Sequence, residues 1–126
     1  MARQILLVDD DRVSRLLTQT VLERLGYEVT VLNDGRDAAD AVTAGNFAAV
    51  VMDCQMPHMD VFQATAEIRR RESSSPGTHT PILGLSARDM RGDEEAALAK
   101  GMDAYVTKPV RGRKLEVALQ ALLGDT

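Results

Sequence analysis

Residues 5–11 read Ile-Leu-Leu-Val-Asp-Asp-Asp, a short apolar run that ends in three consecutive carboxylates. An unbroken apolar run of this length is typical of a parallel strand that is covered on both faces. In open parallel sheets, ligands bind beyond the carboxyl ends of the strands. The stretch therefore predicts a central strand, and it places an acidic cluster at the edge of the sheet where ligands bind.

Four more short apolar runs follow along the chain. They lie at residues 29–32, 48–52, 82–85 and 104–106. The runs at 48–52 and 82–85 are continuous, like the first, and predict further central strands. Residues 27–31 are apolar only at alternate positions, which suits a strand near the edge of the sheet with one face in water.

Apolar residues recur at helical spacing between the runs, most clearly in the first and last helices. They are Val13, Leu16, Leu17, Val21 and Leu25 in the first helix, and Leu115, Ala118, Leu119 and Leu122 in the last. Weaker patterns predict helices around residues 38–42, 64–68 and 97–98. Three helices are expected to end at Gly26, Gly45 and Gly101, because glycine readily takes the left-handed conformation that terminates a helix.

Strand followed by helix, five times over, predicts an α/β fold with helices on both faces of a parallel sheet. This is the flavodoxin-like (βα)5 doubly wound architecture, for which the strand order 2-1-3-4-5 is a common arrangement. The chain has 126 residues, the length of one domain, and we expect a single domain over residues 1–126. The polar stretch at 71–79 is expected to be a surface loop of this domain.

Composition and charge argue against several classes of function. Lys and Arg number 15 against 19 Asp and Glu, a net charge of −4, so no overall attraction to nucleic acid is expected. No apolar run approaches the roughly 20 residues of a membrane span, and the N-terminus lacks a signal-peptide pattern. The single cysteine, Cys54, cannot form an internal disulfide. We therefore expect a cytoplasmic protein that binds neither nucleic acid nor membrane directly.

Polar side chains follow all five runs, but Asn33 and Asp34, after the second, are expected to lie off to the side of the others. Asp9, Asp10 and Asp11 follow the first, Asp53 the third, Ser86 the fourth and Lys108 the fifth. If these strands are neighbours, their ends bring carboxylates, a hydroxyl and an ammonium to one edge. Crowded carboxylates repel one another unless a cation neutralises them. Mg²⁺ would do so, since it binds through one or two carboxylates together with phosphate and water oxygens.

A carboxylate beside such a metal and a lysine is suited to attack phosphorus, and aspartyl phosphate is an established covalent intermediate. Lys108 would neutralise charge on the phosphoryl oxygens, and Ser86 would hydrogen-bond one of them. Each residue alone has a plainer interpretation: an acidic helix cap for 9–11, a turn residue for Asp53, a capping hydroxyl for Ser86, a solvated lysine for Lys108. Their occurrence together at successive strand ends favours the site.

Four segments of the chain resemble the receiver domain of response regulators, the module of two-component signalling. They are residues 5–11, 52–60 (Met-Asp-Cys-Gln-Met-Pro-His-Met-Asp), 85–87 (Leu-Ser-Ala) and 105–109 (Tyr-Val-Thr-Lys-Pro). Their order and spacing agree with the family over nearly the whole chain, and the second and fourth segments are highly specific. Residues 52–57 and 107–110 further resemble receivers attached to hybrid sensor histidine kinases.

The resemblance implies that Asp53 is the phosphoacceptor and that it receives its phosphoryl group from a histidine kinase or a histidine phosphotransfer domain. The implied ligands of Mg²⁺ or Mn²⁺ are Asp9, Asp10, Asp53 and the backbone carbonyl of Gln55, with Asp9 assisting through water. Lys108 would bind the phosphoryl group, and the Lys108–Pro109 bond would be cis. Such a receiver would catalyse only its own phosphorylation and dephosphorylation.

Ser86 and Tyr105 match the family's switch residues. On phosphorylation Ser86 would move toward the phosphoryl group and Tyr105 would turn inward. The movement would reshape the face formed by the fourth helix, the fifth strand and the fifth helix, where a downstream partner would bind. The plainer interpretation of Tyr105 is a static, half-buried aromatic.

One residue departs from the family pattern, and two others lie at positions that vary within the family. Val61 stands where the family usually has glycine, and since a β-branched residue disfavours positive φ, the local backbone is expected to be rebuilt. Gln55 and Arg88, each two residues beyond a site residue, are candidates to position or exclude the water that hydrolyses the phosphoryl group.

Three alternatives stay open from the sequence. A phosphatase of the haloacid-dehalogenase type would need an Asp-x-Asp nucleophile after the first strand, which residues 9–11 fit only nominally, and a cap segment for which the chain has no room. A flavin-binding electron carrier would need a Ser/Thr/Gly-rich phosphate loop where the acidic triad stands. A degenerate receiver that no longer accepts phosphate is the third, and the intact site residues argue against it.

Overall fold

The computed structural model describes residues 3–54, 61–74, 79–86, 98–99, 101–108 and 112–124. Its five strands are β1 (Gln4–Val8), β2 (Glu28–Leu32), β3 (Ala49–Asp53), β4 (Ile82–Ser86) and β5 (Ala104–Thr107). They form one sheet in the order β2-β1-β3-β4-β5, and every neighbouring pair is parallel. The predicted fold class and strand order are confirmed.

Helices connect the strands. They are α1 (Arg12–Arg24), α2 (Ala38–Ala44) preceded by a 3-10 turn (Gly35–Asp37), α3 (Val61–Ser73) and a C-terminal helix (Gly112–Leu123). Of the helix predicted around residues 97–98, the structure describes Leu98 and Ala99, both helical. The expectation of a loop over 71–79 was wrong for its first three residues, which belong to α3. Arg71 extends the helix because it pairs with Glu67 one turn earlier, at 3.0 Å.

The sheet separates two apolar cores, because successive side chains of a strand point to opposite faces. On β1, Leu6 and Val8 pack with α2 and α3, whereas Ile5 and Leu7 pack with α1 and the C-terminal helix. β3 and β4 are buried along their whole length. β2 lies at the edge of the sheet and is partly exposed, as its alternating sequence predicted.

Helix α1 forms where its apolar spacing predicted, but the spacing did not identify its buried face. Val13, Leu16 and Leu17 are 66%, 60% and 64% exposed, and the side chains buried against the sheet are Thr18 and Leu22. The helix therefore presents an apolar surface to solvent. No helix in the described part of the chain has both the length and the apolar character needed to span a bilayer.

Two of the three predicted glycine stops take the expected conformation. Gly26 and Gly101 have φ values of 97° and 108°, in the left-handed region. Gly45 ends α2 as expected, but with φ −101°, a value open to any residue, so only the expected conformation was wrong there. A Cβ at this position would lie 2.6 Å from Phe47 Cε2, so a larger residue here would have to displace the Phe47 ring.

Candidate functional site

The carboxyl ends of β1, β3, β4 and β5 meet at one edge of the sheet, and their ladders continue past the strand ends. The Asp9 N–H donates to the Leu32 carbonyl at 3.0 Å, and the Lys108 N–H donates to the Ser86 carbonyl at 2.6 Å. Between them, Asp53 is the last residue of β3 and pairs with Leu85 of β4. Backbone hydrogen bonds between the strands therefore fix the relative positions of the predicted site residues.

Three carboxylates converge at this edge. Asp9, Asp10 and Asp53 each offer a carboxylate oxygen, and these oxygens all lie within 4.8 Å of one another. Asp9 and Asp53 are buried, and Asp10 is half-exposed. Anions this close in a partly dry site repel one another strongly unless a cation lies among them.

The two oxygens of Asp9 have different environments. Oδ1 accepts a hydrogen bond from the Asp11 N–H at 2.9 Å. Oδ2 is buried and has no hydrogen-bond donor among the described residues. Buried polar atoms are nearly always paired, so an exception needs an explanation. An oxygen-rich site with an unsatisfied carboxylate fits a hard divalent cation, whose ligands in proteins are mostly oxygens.

Asp11, the third acid of the opening stretch, does not belong to this cluster. Its Oδ2 accepts a hydrogen bond from the Ser14 N–H at 3.0 Å, and it is the N-cap of α1. The plainer interpretation of residues 9–11 therefore holds for Asp11, whereas Asp9 and Asp10 converge with Asp53.

Lys108 lies beside the cluster. Its Nζ is 3.5 Å from Asp53 Oδ2 and 3.7 Å from Asp9 Oδ2, and its side chain is 18% exposed. It is therefore not a solvated surface lysine. Nζ also donates a hydrogen bond to Ser14 Oγ at 2.7 Å. Sequence reasoning missed Ser14, because nothing in a helical serine indicates contact with a lysine 94 positions along the chain.

Ser86 and Tyr105 lie on the same two strands as predicted. Ser86 is buried at the end of β4, one residue beyond Leu85, which pairs with Asp53 of β3. Tyr105 is half-buried on β5, and its Cδ2 lies 3.5 Å from the point where a Cβ on Gly84 would stand. Cys54, expected to be a semi-buried neighbour of Asp53, is half-buried.

Several predicted features fall outside the described residues. They are the Gln55 carbonyl, Arg88, the Lys108–Pro109 bond and the loop before Val61. Val61 itself is the first residue of α3.

A family model for the response regulator receiver domain matches residues 5–120 of the chain. The chain belongs to this family. A receiver domain is a signalling module rather than a classical enzyme, and membership removes the phosphatase and flavin-carrier alternatives.

Several curated relatives of this receiver domain are sensor histidine kinases. The sensor histidine kinase GacS of Pseudomonas protegens is 43% identical over 114 residues, which cover 90% of this chain and 12% of that protein. Hybrid signal transduction histidine kinase I of Dictyostelium discoideum is 33% identical over 118 residues, which cover 90% of this chain and 7% of that protein. The chain thus spans only a small part of these relatives.

A solved receiver domain has closely similar coordinates. It is that of sensor histidine kinase PA1611 from Pseudomonas aeruginosa PAO1, with a TM-score of 0.85, 35% identity and coverage of 98% of this chain and 99% of that chain. That structure has a magnesium ion coordinated in the active-site cleft.

Proposed function

We propose that this receiver domain takes a phosphoryl group onto Asp53 in a reaction that depends on Mg²⁺, with Mn²⁺ as a substitute. The observation that carries the proposal is the convergence of Asp9, Asp10, Asp53 and Lys108 at one sheet edge. The magnesium in the cleft of the PA1611 receiver supports the choice of metal.

In the proposed reaction the Asp53 carboxylate attacks phosphorus, and the bond between phosphorus and the donor's leaving group breaks. Asp9, Asp10 and Asp53 would hold the cation, and the Gln55 carbonyl is proposed as a further ligand. When bound, the cation neutralises charge on the transferring phosphoryl oxygens. The Lys108 ammonium, directly after β5, also neutralises charge on these oxygens. The Ser86 hydroxyl donates a hydrogen bond to one of them.

The first prediction concerns the phosphoacceptor. Incubation with acetyl phosphate and Mg²⁺ should add one phosphoryl group to the protein, detected by mass spectrometry, and the gain should be absent in Asp53→Asn. Cys54→Ala, which changes the adjacent half-buried side chain, should retain the gain. A wild-type protein that gains nothing, or an Asp53→Asn variant that still gains a phosphoryl group, would contradict the proposal.

We propose a histidine kinase or a histidine phosphotransfer domain as the donor, and the exposed apolar surface of α1 as the place where it docks. The donor's histidine must approach Asp53, so its surface has to cover the rim of the site. The groove formed there by α1 and Lys108 has a volume of about 600 Å³, and Val13 and Leu17 line it. Clustered apolar side chains exposed beside a site are typical of interaction surfaces.

The second prediction tests this docking surface. Val13→Ser combined with Leu17→Gln should slow phosphoryl transfer from a phosphorylated phosphotransfer domain about tenfold or more, as for the loss of buried interface anchors. Transfer from acetyl phosphate should stay unchanged, because the variant leaves the chemistry intact. Val117→Ser, at a valine of the C-terminal helix that is 55% exposed, serves as the control. Equal slowing with both donors would refute the docking surface.

Further features stay predictions of this proposal. They are the switch by Ser86 and Tyr105, the downstream partner on the face of the fourth predicted helix, β5 and the C-terminal helix, and the influence of Gln55 and Arg88 on the lifetime of the phosphoryl group. The single-domain boundary at 1–126 and the cytoplasmic location are likewise predictions. Substituting Tyr105 and measuring partner affinity with and without phosphorylation would test the switch.

A further inference from the structure

The Lys108 ammonium is held by a neutral hydroxyl more closely than by the carboxylates beside it. It donates to Ser14 Oγ at 2.7 Å, whereas the nearest Asp53 and Asp9 oxygens lie at 3.5 and 3.7 Å. Hydrogen bonds between an ammonium and a carboxylate are normally about 2.7–2.9 Å long. Within the described part of the chain, the ammonium is therefore hydrogen-bonded to α1 and only loosely ion-paired with the acidic cluster.

Ser14 is well placed to act as a fixed anchor. It lies in the first turn of α1, and its backbone N–H donates to the capping carboxylate of Asp11 at 3.0 Å. The Arg15 guanidinium, on the next residue, donates to the Asp9 carbonyl at 3.0 Å. These contacts tie the first turn of the helix to the end of β1, so the Ser14 hydroxyl has a defined position relative to the cluster.

We propose that Ser14 is a positioning residue that holds the Lys108 ammonium 3.7 Å from Asp9 Oδ2, so that this oxygen stays available to the divalent cation. The inference rests on the proposed function of the site. An ammonium hydrogen-bonded directly to a carboxylate would occupy a lone pair that the cation uses and would cancel charge that attracts it. A hydroxyl anchors the ammonium without adding charge to the site.

Removal of the hydroxyl should therefore weaken cation binding. In Ser14→Ala the ammonium loses its anchor and moves onto the carboxylates, with which the cation must then compete. We expect the dissociation constant for Mg²⁺ to rise about threefold to tenfold, the effect of one hydrogen bond to a charged group at a half-exposed position. Alanine is a good helix former, and the backbone contact to Asp11 is unaffected, so the helix should persist.

The experiment is a titration of the metal-free protein with MgCl₂ alone, followed through backbone amide shifts in NMR spectra. Ser14→Thr keeps a hydroxyl and should bind Mg²⁺ with wild-type affinity. Thr20→Ala removes another hydroxyl of α1, one that donates to the Leu16 carbonyl at 2.8 Å, and should also leave the affinity unchanged. In a Lys108→Ala background, Ser14→Ala should have no effect, because the ammonium it positions is gone.

Two results would overturn the role of Ser14 while leaving the proposed function intact. One is wild-type Mg²⁺ affinity in Ser14→Ala. The other is a loss of affinity that is equally large in the Lys108→Ala background, which would mean that the serine does not act through the lysine. A wild-type protein that binds no Mg²⁺ would instead refute the proposed function and, with it, the need for positioning.

Discussion

At the scale of single residues, three consecutive aspartates have different roles. Asp9 is buried, and one of its oxygens has no hydrogen-bond partner among the described residues. Asp10 is half-exposed at the site, and Asp11 caps α1. Their side chains diverge because the chain passes from an extended strand to a helix over these residues. Residue chemistry alone could not assign these roles, since all three are compatible with a helix cap and with a metal site. The family resemblance implied Asp9 and Asp10 as ligands.

The third prediction separates the cap from the site. Asp11→Ala should lower the free energy of unfolding by about 1 kcal/mol, the usual effect of losing an N-cap side chain. Acceptance of a phosphoryl group from acetyl phosphate at saturating Mg²⁺ should persist, since Asp11 lies outside the cluster. Denaturant unfolding and mass spectrometry provide the two measurements. Asp11→Ser, which can still cap the helix, is the control and should be close to wild type in stability.

At the scale of elements, three consecutive arginines of α3 are committed to ion pairs. Arg69 pairs with Glu72 and Asp103, at 2.7 and 2.6 Å, and also donates to the Thr80 carbonyl at 2.9 Å. These contacts tie α3 to the segments that lead into β4 and β5. Arg70 and Arg71, which follow Arg69 in the helix, pair with Glu67. The basic run therefore connects elements of the fold.

These ion pairs lower the pKa of Glu67. Hydrogen bonds from Arg70 and then Arg71 lower the pKa of its carboxyl from 4.5 to about 2. Arg71 in turn reaches Asp40 of α2 at 2.8 Å. The ionised form of Glu67 is thus favoured in the folded state, and Arg71, which it holds, links α3 to α2. As an exposed group Glu67 is well screened by solvent.

The fourth prediction follows from this shift. A depressed pKa in the folded state stabilises the protein above pH 4.5, and the contribution is lost as the pH falls toward 2. The difference in Tm between the wild type and Glu67→Gln should therefore be constant near neutral pH and should shrink between pH 4.5 and 2. Glu116→Gln, on the C-terminal helix, corrects for the loss of one negative charge. A difference that persists unchanged to pH 2 would contradict the ion-pair explanation.

At the scale of the whole molecule, the same sheet supports both cores and the acidic edge. Buried side chains of β1, β3 and β4 pack on both faces, and the next residues carry the site. The rigid scaffold holds three carboxylates together despite their repulsion. Stability and cation binding are consequently linked: a cation that binds the folded protein stabilises it, and metal-free protein bears the repulsion.

The fifth prediction measures this linkage. In metal-free buffer Asp10→Asn should raise Tm by about 2–4 °C, which corresponds to relief of about 1 kcal/mol of repulsion. The wild type should gain Tm with increasing MgCl₂, and the variant should gain much less, because it lacks one carboxylate of the cluster. Differential scanning calorimetry gives both values. A variant that is less stable without metal would show that Asp10 contributes to the fold rather than opposing it.

The sequence by itself determined the fold class and four of the residues that meet at the site, whereas it offered the strand order 2-1-3-4-5 only as a common arrangement, which the structure confirms. These rest on local patterns, namely unbroken apolar runs, helical spacing and polar side chains at strand ends, and parallel strands necessarily bring such ends to one edge. Only the tertiary structure decided which aspartate caps α1, which face of α1 is buried and that Ser14 holds Lys108. Those outcomes depend on contacts between segments far apart in the chain, and the spacing of residues along a single element carries no information about them.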